Sequence, residues 1–312
     1  MGPDQHTLPP TSKYVGGRGL QTILASVTVS LMGVDNMSNF EYDTPELAEK
    51  YDIMSDPQYE AGMKLVDMLG LNTGDHVLDL GCGTGRLTLY TARKVGLTGK
   101  VVGIDPASLR IEIANKKLAA DRISNVEFDV GGSDDLKDFT GDMFHAAYLS
   151  AVLHWIPDKN AAAEQLFRVI RPGGKIGIAA EDGKYELPIE RAIYQRLARE
   201  PNGSKFGDLD DIKKSLSGIR KSVNREEIEQ ILRTAGFRDI DVRASTQKIR
   251  WATAAEFVEF MDASSFGSYR QFLPDSIMDD VRKDIEAGME KMMTPNGLEV
   301  TRNPVYIIAK KP

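Results

Sequence analysis

The sequence predicts an α/β fold, a doubly wound and mostly parallel sheet, on three observations. Val77-Leu-Asp-Leu80, an apolar run with one acid, breaks into Gly81, Gly83 and Gly85 and resumes as the helix-forming stretch Arg86–Lys94. Strands and helices then alternate to about residue 180, which implies parallel strands joined by right-handed crossovers. Leu298–Lys310 alternates and is rich in Val and Ile, the pattern of a last strand running antiparallel to its neighbours.

In chain order, Met1–Arg18 is rich in Gly and Pro without periodicity and reads as disordered. Ile23–Val34 is apolar but interrupted by Ser and Thr, and too short to span a bilayer. It lacks a convincing signal cleavage site, and it is poor in Arg for a transit peptide. Met37-Ser-Asn-Phe-Glu-Tyr42 reads as a natural beginning. Residues 1–36 are therefore expected to be a disordered extension and 37–312 a single domain. One or two helices are expected over 44–70, with Tyr51 as a cover for a bound cofactor or as a core-edge tyrosine. Val77–Leu80 is a buried strand. The alternate glycines permit positive φ and carry no β-carbons, so backbone can lie against a ligand. The following helix N-terminus points unpaired N–H groups at the same spot. Lys100-Val-Val-Gly-Ile-Asp105 is a second buried strand ending in a carboxylate. An acid there can accept both hydroxyls of a ribose, and a charge-assisted hydrogen bond contributes about 1.5–3 kcal/mol.

A glycine turn after a strand also serves nicotinamide and flavin cofactors, but their fingerprint places its third glycine three residues after its second. Here Arg86 occupies that position. The string Val77-Leu-Asp-Leu-Gly-Cys-Gly-Thr-Gly85 instead resembles motif I of the class I S-adenosylmethionine-dependent methyltransferases. Asn125–Leu136 resembles that family's third strand and adenine-contacting turn, and Phe144–Asp158 its fourth strand and the loop beyond. Arg168–Ile178 resembles the turn into strand five, where Pro172 cannot continue a helix and Gly173-Gly174 turn tightly. The resemblance covers about residues 45–180 and returns at Asn224–Val242, an amphipathic helix ending at Gly236 before strand six. It implies a Rossmann-like, seven-stranded sheet with an antiparallel last strand and helical lid insertions. It also implies S-adenosylmethionine as cofactor and S-adenosylhomocysteine as product. The cofactor residues it implies are Tyr51, Asp79, Gly81, Cys82, Gly83, Gly85, Asp105, Pro106, Ser133, Asp134, Leu149 and Ser150.

Strand six is expected within Asp239–Trp251, followed by a helix from about Ala254, a loop over Ala263–Tyr269 and a helix near Ser276–Met292. Pro304 predicts an edge position or a bulge in the last strand. Insertions at about 184–222 and 253–295 emerge above the strand ends, where ligands bind in such sheets, and are expected to form a substrate lid.

The formal charge of −7 over 312 residues argues against a general nucleic-acid binder. The basic run Lys213, Lys214, Arg220, Lys221 and Arg225 reads as a solvated helical face or as a guide for an anionic substrate. A single cysteine, Cys82, excludes disulfides within the chain and favours a reducing, cytoplasmic setting. Beside the cofactor turn it reads as a small packed residue rather than a nucleophile. No metal site is expected, and the assembly is expected to be a monomer or homodimer.

Methyl transfer from a sulfonium is an in-line displacement, so the protein mainly aligns the acceptor and excludes water. A base is needed only where the acceptor is protonated at neutral pH. His154, just past strand four, is the candidate base. Trp155, Tyr185, Phe266 and Tyr269, with Tyr194, are candidates to line the acceptor pocket. His76 and His145 sit at strand entrances, away from the chemistry. The Asp/Asn-Pro-Pro-Tyr motif of amino-methylating nucleic-acid enzymes is absent, and Leu149-Ser150 stands where catechol-type enzymes carry an acidic metal cluster. Ala151-Val-Leu-His-Trp-Ile-Pro-Asp158 resembles enzymes that esterify small carboxylic acids such as trans-aconitate or a malonyl carrier thioester. Residues 44–70 carry a Tyr-Asp similar to that of quinone-biosynthesis methyltransferases. The expected activity is methyl transfer to a small-molecule acceptor, at O or N, including a carboxylate. The alternatives are a non-catalytic cofactor-binding regulatory protein and a protein or RNA methyltransferase.

Overall fold

The computed structural model describes residues 43–182, 223–267 and 275–312. Ser38–Pro312 is one compact unit. The segment 184–222 expected as a lid, with Tyr185 and Tyr194, the loop residue Tyr269 and residues 1–36 lie outside the described residues.

Two helices precede the sheet, α1 (Pro45–Met54) and α2 (Asp56–Leu69). Thr44 starts α1, its hydroxyl accepting the Leu47 N–H at 3.2 Å with Pro45 in the first turn. Gly70, in the left-handed region at φ 62°, stops α2. Strand β1 (His76–Leu80) then leads through the glycine turn to α3 (Arg86–Val95). The alternation continues with β2 (Lys100–Asp105), α4 (Ser108–Asp121), β3 (Val126–Val130), β4 (Phe144–Ser150), α5 (Lys159–Val169) and β5 (Ile170–Glu181). Helix α6 (Arg225–Ala235) opens with a reciprocal cap, Asn224 and Glu227 each accepting the other's N–H at 2.8 Å, and closes at Gly236. Strands β6 (Arg238–Ala244) and β7 (Gln247–Trp251), helices α7 (Ala254–Ser264) and α8 (Asp275–Glu290), and strands β8 (Met293–Thr294), β9 (Gly297–Arg302) and β10 (Pro304–Lys310) complete the chain.

The seven-stranded sheet runs in the order β3-β2-β1-β4-β5-β10-β6. Strands β1 to β5 pair in parallel, and β10 is antiparallel to both neighbours. Apolar clusters pack on both faces. One holds Leu78, Leu149, Ile176 and Ile307 with α5 and α6; the other holds Val77, Tyr148 and Tyr306 with α2 and α3.

The C-terminal region departs from expectation. The stretch Asp239–Trp251 divides between two sheets, and so does Leu298–Lys310. Strands β7, β9 and β8 form a separate antiparallel sheet, with β9 pairing β7 from Leu298 to Arg302. That sheet and α7–α8 share an apolar core of Trp251, Phe257, Met261, Ile285 and Leu298. Strand β10 is interior, not an edge, and the register shift lies between Ile308 and Lys310 rather than at Pro304. Pro304 is tolerated because it is the first residue of the strand, where a missing N–H removes little of the ladder. Among the described residues no helix is long and apolar enough to cross a membrane.

Candidate active site

The glycine turn follows β1 in the middle of the sheet, with β2 on one side and β4 on the other. Gly81, Gly83 and Gly85 have φ of 81°, 54° and 79°, a region L-residues seldom adopt. Two of them are also required by packing. A β-carbon on Gly81 would come within 2.3 Å of Val152, and one on Gly85 within 2.7 Å of the Phe128 ring. One on Gly83 would lie 3.5 Å from the Tyr51 ring, so Tyr51 covers the middle of the turn from α1. The turn is bare of side chains but not of hydrogen bonds. The Gly81 and Cys82 N–H groups both donate to the Ile104 carbonyl, at 2.7 and 3.1 Å. The Gly83 N–H donates to Asp105 Oδ2 at 2.8 Å.

Asp105 therefore shapes the turn as well as facing it. Its Oδ1 accepts the Ala107 N–H at 2.9 Å, and each oxygen keeps a second lone pair for hydroxyl donors. Burial pushes its carboxyl above the usual range, and the nearby Arg110 guanidinium is the chief opposing influence. Asp79 is buried in β1, where its Oδ2 accepts from the Thr88 hydroxyl at 2.6 Å and the Tyr148 hydroxyl at 2.9 Å. Burial raises it to about 7 despite these bonds. Burial also pushes the Cys82 thiol well up, which suits a packed residue and not a thiolate nucleophile.

Tyr51, Asp79, Gly81, Cys82 and Ser150 line a cavity of about 50 Å³, with Ser55, Gln58 and Tyr59 of the α1–α2 corner also on its wall. Gln58 Oε1 is buried there without a hydrogen-bond partner among the described residues. A buried carboxylate beside an orphaned acceptor suits the ammonium of an amino-acid tail, and this pair of acceptors thus fits the cofactor implied by motif I. Leu149 is fully buried in the sheet core, so only its backbone stands at the site. Ser133 and Asp134 open a short 3₁₀ turn after β3, and Val130 pairs with Asp105. This brings the adenine-turn candidates, and the exposed Pro106, to the strand ends flanking Asp105.

Beyond β4, Ala151 takes the left-handed φ of 59° and turns the chain into a 3₁₀ turn, Leu153–Trp155. His154 and Trp155 lie there half-buried, ring centroids 5.1 Å apart, and Trp155 meets Phe266 edge-on at 5.2 Å. His76 and His145 are at the opposite end of the sheet, bonded to each other through the His76 N–H and His145 Nδ1 at 3.1 Å.

Sequence reasoning missed the residues that fasten α1 over the turn. Asp52 accepts from the Thr84 hydroxyl at 2.6 Å and pairs with Lys117 of α4, while Arg86 Nη1 donates to the Asp52 carbonyl at 3.0 Å. Arg110 was also missed. Its signal was a charged residue beside Ile111 on the inward face of a helix. Of the basic run only Arg225 is described, and it pairs with Asp182 and Glu226.

Comparison with known proteins agrees with this geometry. The profile of a family described as a methyltransferase domain matches residues 71–236. A demethylmenaquinone methyltransferase of Lactobacillus johnsonii is 28% identical over 181 residues, 57% of this chain and 73% of the relative. The ubiquinone/menaquinone biosynthesis C-methyltransferase of Escherichia coli is 29% identical over 204 residues, 62% of this chain and 81% of the relative. Among solved structures, phosphoethanolamine N-methyltransferase 2 of Haemonchus contortus, in complex with S-adenosyl-L-methionine, superposes with a TM-score of 0.57 at 16% identity, over 90% of this chain and 61% of that one. The YcgJ protein of Bacillus subtilis gives 0.55 at 15% identity, over 81% and 98%. A matching profile over more than half the chain, laid on this sheet order and glycine turn, makes the protein a member of the methyltransferase domain family, a class I S-adenosylmethionine-dependent methyltransferase.

Proposed function

We propose that the enzyme methylates a small planar acceptor, a hydroxylated ring held against Trp155 and Phe266, with His154 taking the hydroxyl proton. The carrying observation is the aromatic wall of His154, Trp155 and Phe266 beyond β4. The cofactor supplies an electrophilic methyl group. Asp79 and Gln58 hold its ammonium, Asp105 its ribose hydroxyls, and Ser133 and Asp134 its adenine edge. The rings orient the acceptor and keep water out; alignment of this kind supplies roughly 7–11 kcal/mol in favourable cases.

A ring acceptor reconciles two indications. The sequence favours O or N, whereas one relative is named as a demethylmenaquinone methyltransferase and the other as a C-methyltransferase of ubiquinone/menaquinone biosynthesis. Removing a proton from a ring hydroxyl places charge on the oxygen and on the adjacent ring carbon, so one base starts either outcome; after attack by carbon, that carbon's own hydrogen leaves as a proton and the protonated base returns one to the oxygen. Among the described residues the guanidinium beside this wall, Arg110, is engaged by Asp43 and the Ala263 carbonyl and so is not open to pair with a carboxylate acceptor.

The test incubates the full chain and S-adenosylmethionine with a demethylated naphthoquinol or with trans-aconitate and follows S-adenosylhomocysteine. Ring turnover is expected, and His154→Ala should lower it roughly 10²–10⁴-fold with S-adenosylhomocysteine affinity retained. Methylation of the carboxylate but not the ring defeats the proposal.

A further inference from the structure

Arg110 joins the two halves of the site, and nothing in motif I accounts for it. Its side chain is buried at 3% exposure and paired with the equally buried Asp43, Nε to Oδ2 at 3.1 Å. Nη2 donates to the Ala263 carbonyl at the end of α7, at 2.7 Å. The guanidinium carbon lies 4.1 Å from the Tyr51 ring centroid and 3.6 Å from that of Phe266. Burying such a charge costs several kcal/mol unless it is paired, and here one carboxylate, one carbonyl and two π-faces compensate it. These partners come from two separate elements, α1 with its N-terminal flank and the end of α7, while Arg110 itself stands on α4.

The contacts run on in both directions. Tyr51 covers Gly83 on the cofactor side. Phe266 meets Trp155 on the acceptor side, and Trp155 meets His154. Phe266 holds φ at 58°, a conformation that costs a bulky residue about 1–3 kcal/mol and persists only where surrounding contacts impose it. The cavity beside the turn, about 50 Å³ and lined by Tyr51, has room for a few waters, so a larger ligand seated on the turn bears on Tyr51.

We propose that Arg110 is a positioning residue that sets the acceptor wall in register with the cofactor turn. It transmits the displacement of Tyr51 on cofactor binding to Phe266, and through Phe266 to Trp155. The inference rests on the reading of Gly81–Gly85 as the cofactor seat and of Trp155 as acceptor wall. Lysine cannot replace it fully, because an ammonium keeps the charge on Asp43 but lacks a planar group to lie between two rings.

The experiment uses the full chain labelled with 5-fluorotryptophan. The sequence has two tryptophans, so two ¹⁹F resonances are expected, with Trp155 assigned by Trp155→Phe. S-adenosylhomocysteine is the probe, and calorimetry gives its affinity in parallel. It should shift the Trp155 resonance in the parent protein. In Arg110→Met the affinity should stay within about fivefold while the Trp155 shift is lost, with Arg110→Lys intermediate. If Arg110→Met does not fold, Phe266→Leu breaks the chain one link on without stranding a buried charge, and the same loss is expected. A parent-like Trp155 shift in the variant that folds overturns the proposal. So does a folded Arg110→Met that no longer binds, since Arg110 would then be a cofactor ligand. A parent protein that binds without any Trp155 shift overturns the coupling alone; one that does not bind overturns the cofactor seat beneath it.

Discussion

Two buried acids carry the cofactor turn, and their environments assign them different work. Asp105 accepts two backbone N–H bonds and holds the turn closed on β2. Asp105→Ala is expected to weaken S-adenosylhomocysteine binding at least about tenfold by calorimetry, the loss of one charge-assisted hydrogen bond or more. Unchanged affinity would remove Asp105 from the ribose site. Asp79 is raised by burial from 3.8 to about 7. Below about pH 4 both native and unfolded chains hold this proton. Between there and neutrality the native state keeps it while the unfolded chain releases it, so stability falls as pH rises and levels off above 7. Thermal melts at about pH 5 and 7.5 should therefore show a larger decline for the parent than for Asp79→Asn, which has no proton to lose. Asp43 and Asp105, also raised by burial, are common to both proteins and drop out of the comparison. Equal declines would mean that Asp79 is already ionised at low pH.

At the scale of elements, the glycine turn is a packing device as well as the proposed ligand seat. Gly85→Ala puts a β-carbon 2.7 Å from Phe128 and 2.9 Å from Ala114 at φ 79°. Left-handed strain and overpacking together predict a loss of roughly 2–5 kcal/mol in urea unfolding. Gly132→Ala is the control: it meets nothing within 4 Å, at φ −130°, and should stay within about 0.5 kcal/mol. Equal effects at the two sites would remove packing as the reason for Gly85. The strap α1 is a second device, held over the turn by Asp52 through Thr84 and Lys117. Its helical character over 44–70 was legible in the sequence, and the Thr44 cap that starts it is local chemistry. Its docking was not, because the partners of Asp52 are 32 and 65 residues away.

For the whole molecule, Ser38–Pro312 forms its own compact unit, and the described site residues all lie within 43–267. A chain beginning at Met37 is accordingly expected to fold and to bind S-adenosylhomocysteine as the full chain does, read by circular dichroism and calorimetry. Failure of either would show that residues 1–36 belong to the working protein.

By itself the sequence determined the five parallel strands, the glycine turn, the acid ending β2 and the stop of α6 at Gly236. Each is set by periodicity or by a residue's own backbone preference within a few positions. It also located His154 and Trp155 just past β4, since a strand end fixes where the chain emerges. Only the tertiary structure decided that Gln247–Trp251 leaves the main sheet for β9, and that Pro304 begins an interior strand. Strand pairing is a choice among distant partners, and alternation along one stretch does not say which edge it will meet. The same reason hid Arg110. A charged residue in a helix reads as solvated until Asp43, Tyr51, Ala263 and Phe266 close around it, and burial of that charge exists only in the folded chain.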